Sequence, residues 1–138
     1  MNKSERTFEL LVAFGTDDGE HLNKDHVGMA KIFLVYKFTD AIQELVQTRE
    51  NSKFKGDETI KHGDPKKAKA TASVLQNIDV LVGKRFGPNL TRLIKKLLCV
   101  ITRVDRIDAS IQLIHDNIEL ILEECKKGED RKHLILTP

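Results

Sequence analysis

Short apolar runs bounded by turn residues constrain this chain most, because each suits a buried strand and is too short for a core helix. Phe8 to Gly15 is nearly continuous and ends in Gly-Thr-Asp-Asp-Gly. Ile32-Phe-Leu-Val-Tyr-Lys-Phe38 is rich in β-branched and aromatic residues. Ile42 to Arg49 alternates and predicts a third strand, returning as a hairpin through Thr39-Asp40, with helix as the alternative. Asp79-Val-Leu-Val-Gly83 and Cys99-Val-Ile-Thr102 supply two more strands. Met29 to Phe33 could form a short helical turn.

Helical spacing falls between and after the later runs. Asn51 to Gly63 is polar and reads as an exposed loop. Asp64-Pro65 then starts a helix, with Asp at the N-cap and Pro where its missing N–H is no loss. Ala68, Ala72 and Leu75 share one face of it. Gly87-Pro88-Asn89 opens a second helix with Leu90, Leu93, Ile94, Leu97 and Leu98 toward the core. A long terminal helix is predicted over 106–127, where Ile107, Ile111, Ile114, Ile118, Ile121 and Cys125 recur at intervals of 4, 3, 4, 3 and 4. Asp105 would cap it, Asp108 suits its dipole, and Lys126-Lys127-Gly128 would end it. Its stripe can pack on the domain's own sheet or form the seam of a homodimer. The tail, 129–138, contains His133-Leu-Ile-Leu-Thr137, an added edge strand or an ordered end.

This β-β-β-α-β-α-β-α order in 138 residues predicts a single α/β domain. The sheet is expected to be mixed and five-stranded, with a leading antiparallel hairpin and helices packed on it. The first strand sits centrally, the hairpin strands on one side and the Asp79 and Cys99 strands on the other. The first and fourth strands are then parallel neighbours whose chains depart in opposite directions. Ligands in open α/β sheets bind outside strand carboxyl ends at such a switch point. Two loops should meet there, Thr16 to Gly28 and Gly83-Lys84-Arg85-Phe86-Gly87.

No apolar run approaches the roughly 20 residues needed to cross a bilayer. No apolar h-region follows Met-Asn-Lys-Ser-Glu-Arg, so no signal peptide is expected. Cys99 and Cys125 lie in apolar patterns without CxxC spacing, which predicts a cytoplasmic, disulfide-free protein with buried structural thiols. The net charge of +2 is unevenly laid out. No acid falls between Val80 and Val104, where Lys84, Arg85, Arg92, Lys95, Lys96 and Arg103 do. That stretch suits anionic partners or is simply a solvated face. It lacks interleaved aromatics apart from Phe86, so stacking recognition of nucleic acid is unsupported.

The first loop concentrates Asp17, Asp18, Asp25, His21 and His26 with Gly19 and Gly28. A neutral imidazole ligates iron or zinc well, which makes His26 the leading cofactor or metal contact. A backbone-capping role is the alternative. His21 could join it, and His62 could fold over the same place. Asp17 and Asp18 could hold a divalent cation, but turn chemistry accounts for them. The turn from Gly83 to Gly87 matches no phosphate-loop pattern. It could offer backbone N–H groups at the Pro88 helix start, with charge from Lys84 and Arg85.

The same two loops carry a family resemblance. Ala13-Phe-Gly-Thr-Asp-Asp-Gly19, then His26-Val-Gly28 with Ala30 and Phe33-Leu-Val-Tyr36, resembles the start of the dinitrogenase iron–molybdenum cofactor biosynthesis family, the NifX-type proteins. Ala72 to Leu75, Asp79 to Gly83 and Gly87-Pro88 continue the pattern, so that it covers about residues 8–115. Val27 stands where the family's His-Phe-Gly signature has Phe. Lys84 and Arg85 occupy a turn usually richer in glycine and small residues. The resemblance implies a ribonuclease-H-like fold. It also implies non-catalytic binding or carriage of an iron–sulfur or iron–molybdenum type cluster. Partners would be proteins that donate or accept the cofactor. His26, His21, Gly28, Lys84, Arg85 and Gly87 are the positions it and the topology single out. A nuclease of that fold would need converging acids, and Asp79 lies at the wrong end of its strand. The alternative function is an interaction or regulatory module without a cofactor.

Overall fold

The computed structural model describes residues 7–51 and 73–138. Six strands form one sheet: β1 (Leu10–Thr16), β2 (Ile32–Phe38), β3 (Gln43–Glu50), β4 (Val80–Gly83), β5 (Leu98–Thr102) and β6 (Leu134–Leu136). Their order is β3-β2-β1-β4-β5-β6. β1 and β2 pair antiparallel from Leu10↔Phe38 to Thr16↔Ile32, and β3 continues antiparallel on β2. The β1–β4, β4–β5 and β5–β6 pairs are parallel. The expected central position of β1 and the leading hairpin are therefore observed. The sheet has six strands rather than five, because the tail adds Leu134–Leu136 to the edge of β5. Glu124 anchors that tail by accepting from Lys132 N at 2.7 Å and from Lys127 Nζ at 3.0 Å.

Burial divides the core into two layers. Phe14, Val12, Val80, Val82, Leu98 and Val100 face one side of the sheet, where Ile107, Ile114 and Ile121 cover them. Ala13, Leu81, Cys99, Phe33 and Val35 face the other, beneath Val27, Leu75, Leu93 and Leu97. The terminal apolar stripe thus packs on this chain's own sheet. Its expected continuous helix is two, α2 (Ile107–Asp116) and α3 (Ile118–Cys125). The break falls at Asn117, whose side chain turns back to donate to Leu113 O at 2.9 Å. Thr102 Oγ1 and Ser110 Oγ, both buried, lie 2.7 Å apart and fasten β5 to α2.

The crossover from β4 to β5 holds α1 (Leu90–Leu93), a single turn rather than the longer helix expected. Its core residues continue through a turn and Leu98 already begins β5. The helix expected from Asp64, with Ala68, Ala72 and His62 nearby, lies outside the described residues except for its helical end at Ser73–Val74. Arg49 Nη1 donates to Val74 O and Gln76 O, fixing that end to β3. β3 is an edge strand with a bulge at Val46, and it exposes Leu45 and Val46. No helix among the described residues is long and apolar enough to cross a membrane.

Two glycines let the sheet receive the loop that follows β1. A Cβ at Gly15 would stand 2.6 Å from Val27 Cγ2, and one at Gly83 would stand 2.7 Å from both Val27 Cβ and Cγ2. Val27 is buried in a 3₁₀ turn, Val27–Met29, and plugs the carboxyl ends of β1 and β4 together. Gly83→Ala is therefore expected to destabilise the fold by about 1–3 kcal/mol through overpacking. A denaturation midpoint measures this, and Val27→Ala added to Gly83→Ala should recover part of the loss.

Candidate functional site

The parallel pair β1–β4 is in register up to Phe14↔Val82, which brings Gly15 and Gly83 together at the carboxyl ends. The chain then departs toward β2 from one and toward β5 from the other, which is the predicted switch point. The loops that follow meet there. Val27 N donates to Arg85 O at 2.8 Å, and the His26 ring lies over Gly87, where a Cβ would be 2.6 Å from His26 Nδ1. Gly87 is thus required by the approach of an imidazole.

Polar side chains fix the first loop internally. Buried Thr16 accepts from Gly19 N at 2.9 Å through Oγ1 and donates to His21 O. Gly19 adopts φ +85°, a region that L side chains rarely enter. Asp18 Oδ1 accepts from Glu20 N and His21 N, each at 2.8 Å. Asp17 Oδ1 accepts from Lys31 N at 3.0 Å and closes the loop onto the start of β2. Asn23 Nδ2 donates to Asp25 O and His26 O. The two loop aspartates are accordingly turn residues, as their spacing implied.

Asp18 has a second role. Its Oδ2 lies 2.8 Å from His21 Nδ1. The hydrogen bonds from Glu20 N, His21 N and the His21 ring hold its carboxyl well below the ordinary value of 3.8. The loop geometry is therefore linked to an ionised Asp18. The linked stability is complete above the ordinary carboxylate pKa and is lost as pH falls through the depressed one. Asp105, lowered by its hydrogen bond to Lys84, acts in the same direction. The thermal midpoint is expected to be level above about pH 5 and to fall in more acid buffer, less steeply in Asp18→Asn.

A cleft of about 570 Å³ opens above these groups, lined by His21, Asp18, Asp17, Lys24, Lys84 and Asp105 among others. Its third wall comes from the β5–α2 connection. Leu22 N donates to Asp105 O at 2.8 Å, Ile107 N donates to Glu20 O at 2.9 Å, and His21 bridges Arg106. Asp105 does not cap α2 as expected. Its carboxylate is held by Lys84 Nζ at 2.5 Å, and Arg106 is the N-cap. The sequence reading missed Asp105 as a site residue. The parallel order held the signal, since the loop after β5 must emerge on the same rim as the loop after β4.

The six singled-out positions separate into groups. His21 and Lys84 share the cleft. His26 and Gly87 pack on each other beside Arg85, whose carbonyl binds the first loop and whose side chain is exposed. Gly28 turns toward the end of β3, its carbonyl accepting from Asn51 Nδ2 at 2.9 Å. The basic wall expected for an anion is altered, because Asp105 pairs with Lys84. The Pro88 start offers little to an anion either, since α1 is one turn and Leu90 N is bonded to Gly87 O.

The chemistry open to the site is that of an oriented imidazole. An ionised carboxylate only accepts, so Asp18 fixes the proton on Nδ1 of His21. In the neutral ring, Nε2 then keeps its lone pair, the arrangement in which histidines ligate metals. Among the described residues, no three His, Cys, Asp or Glu side chains form a group that could hold a metal ion. Burial pushes the Cys99 thiol up to about 12 and the Cys125 thiol up to about 11, which disfavours the thiolate.

A family model described as dinitrogenase iron-molybdenum cofactor matches residues 9–122. No curated protein matches the chain.

Proposed function

The chain belongs to the dinitrogenase iron–molybdenum cofactor family, and on that premise we propose that it binds and carries an iron–sulfur-based metallocofactor or its precursor without chemistry of its own. The Asp18–His21 pair at the switch-point cleft carries this reading. One imidazole does not hold a bare ion firmly. It can serve as the protein ligand for a preassembled cluster, whose metals are already bound by sulfide. His21 supplies the first contact, and His26 beside Gly87 supplies a second from the same loop. Gly28, Lys84 and Arg85 shape the surround rather than ligate. Partners in this reading are the proteins that load and unload the cargo.

We also read the core as ribonuclease-H-like. Support comes from the five-strand order β3-β2-β1-β4-β5 with β2 antiparallel to β1. The sixth strand, β6, is an addition to that core.

Anaerobic incubation with a synthetic iron–sulfur cluster, followed by desalting, iron analysis and an optical spectrum, tests the proposal. Wild-type protein should retain iron and visible absorption. His21→Ala should lose most of both, and His26→Ala part. Retention by the double variant equal to wild type would remove the histidines from the site.

A further inference from the structure

Charge is divided between the two faces of the sheet. The crossover from β4 to β5 exposes Arg85, Arg92, Lys95 and Lys96 and contains no acid. Its apolar side chains, Leu93 and Leu97, belong to the layer that includes Val27. The opposite layer is built by α2 and α3, which expose Asp108, Asp116, Glu119 and Glu123. Four cations outside this group are in ion pairs: Lys84 with Asp105, Lys37 with Glu44, Arg106 with Asp108 and Lys127 with Glu124. Among the described residues, no ion pair involves Arg85, Arg92, Lys95 or Lys96.

Those cations also repel one another. Past the single turn of α1 the backbone keeps turning to Leu97, with Ile94 N on Leu90 O at 2.9 Å and Leu97 N on Leu93 O at 3.0 Å. Arg92 therefore neighbours both Lys95 and Lys96 at helical spacing, where like charges are unfavourable. An anionic surface laid against this turn would relieve that repulsion as well as pair the charges.

We propose that the β4–β5 crossover is a docking surface for an acidic protein, with Arg92, Lys95 and Lys96 as its contacts. The observations favour a polypeptide over nucleic acid. Phe86 is partly buried against the core and cannot stack on bases. The one-turn α1 is too short to enter a groove. Clustered Asp and Glu side chains match isolated ammonium and guanidinium heads at this size. The surface continues from the Gly83–Gly87 turn, so a docked protein would lie beside the rim that holds the cleft. Only that placement rests on the carrier reading; docking itself is tested without cargo.

The test uses cofactor-free full-length protein and a fluorescent deca-glutamate peptide, read by anisotropy at low salt. Deca-glutamine and a DNA duplex of equal length serve as comparisons. The expected result is binding of the glutamate peptide that weakens as salt is raised. Arg92→Glu/Lys95→Glu/Lys96→Glu should weaken it roughly tenfold or more. Asp116→Lys/Glu119→Lys, on the other face, should not weaken it. Circular dichroism reports folding, and Arg92→Gln/Lys95→Gln/Lys96→Gln replaces the reversed variant if that one unfolds. Cluster uptake by the altered protein should match wild type, which separates this claim from the cargo site. Equal peptide binding by wild type and folded variant, equal binding of glutamine peptide, or tighter binding of DNA would each overturn the proposal.

Discussion

Replacing Phe14 by alanine is expected to cost about 3–5 kcal/mol, a large part of the 5–15 kcal/mol that holds a typical domain together. Phe14 is fully buried on the central strand. Its ring meets Tyr36 edge-on at 5.5 Å and stacks near Phe38 at 6.5 Å, both on the neighbouring strand. The helices α2 and α3 close over the same layer, so several elements would line the cavity. β1 is packed on both faces and its partners are fixed by register, which limits collapse into the space. Phe14 also lies two residues before Thr16, where the cleft loop begins. Chemical denaturation should show the lower midpoint, and Phe14→Leu should recover much of it because it restores most of the volume. A loss below about 1 kcal/mol would mean that β1 is not the packed centre described.

Asp18→Asn is expected to lower affinity for an iron–sulfur cluster by about 10–100-fold while leaving the loop folded. The asparagine carbonyl can still accept from Glu20 N and His21 N, as Asp18 Oδ1 does. Its amide then faces His21 Nδ1 in place of Oδ2. An amide donates, so Nδ1 must accept and the proton of a neutral ring moves to Nε2. The ligand lone pair is thereby turned away from the cleft. Asp18→Ala should lose affinity and also loosen the loop, because Glu20 N and His21 N both lose their side-chain acceptor. Titration of each variant with cluster, alongside its thermal midpoint, separates orientation from folding. Unchanged affinity in Asp18→Asn would exclude His21 as the ligand.

Strands and their order were readable because burial on both faces writes itself as short apolar runs. Ile32 to Phe38 has the bounds expected of it, and the meeting of the two loops followed from parallel strands with a switch point. Other features depend on contacts that have no local signature. Asp105 looked like a cap because it precedes an apolar periodic run; Lys84, distant in sequence, claims its carboxylate. The terminal repeat continues unbroken through Asn117, yet a side chain bond to Leu113 O accompanies two helices there. Leu134–Leu136 is the edge strand that the sequence offered beside an ordered end; so short a run is settled only by β5 as its template.

The candidate site was legible in composition and less so in roles. His26 stood out through its place in the family resemblance, but its ring packs over Gly87. His21 gains prominence only when Asp18 is found on its Nδ1, a contact set by the Gly19 turn. Val27, in place of the family's Phe, fits a socket formed by Gly15 and Gly83 on separate strands. Spacing along the chain does not report such three-body packing.

Paramagnetic broadening of backbone amides on adding an iron–sulfur cluster to isotope-labelled protein tests directly whether cargo sits in the switch-point cleft. Broadening should centre on His21, extend through Thr16 to Gly28, Gly83 to Gly87 and Asp105, and be absent from the opposite end of the sheet at Leu10, Phe38 and Gln43. Broadening centred elsewhere, or equal along the whole chain, would contradict cargo binding at the switch-point cleft.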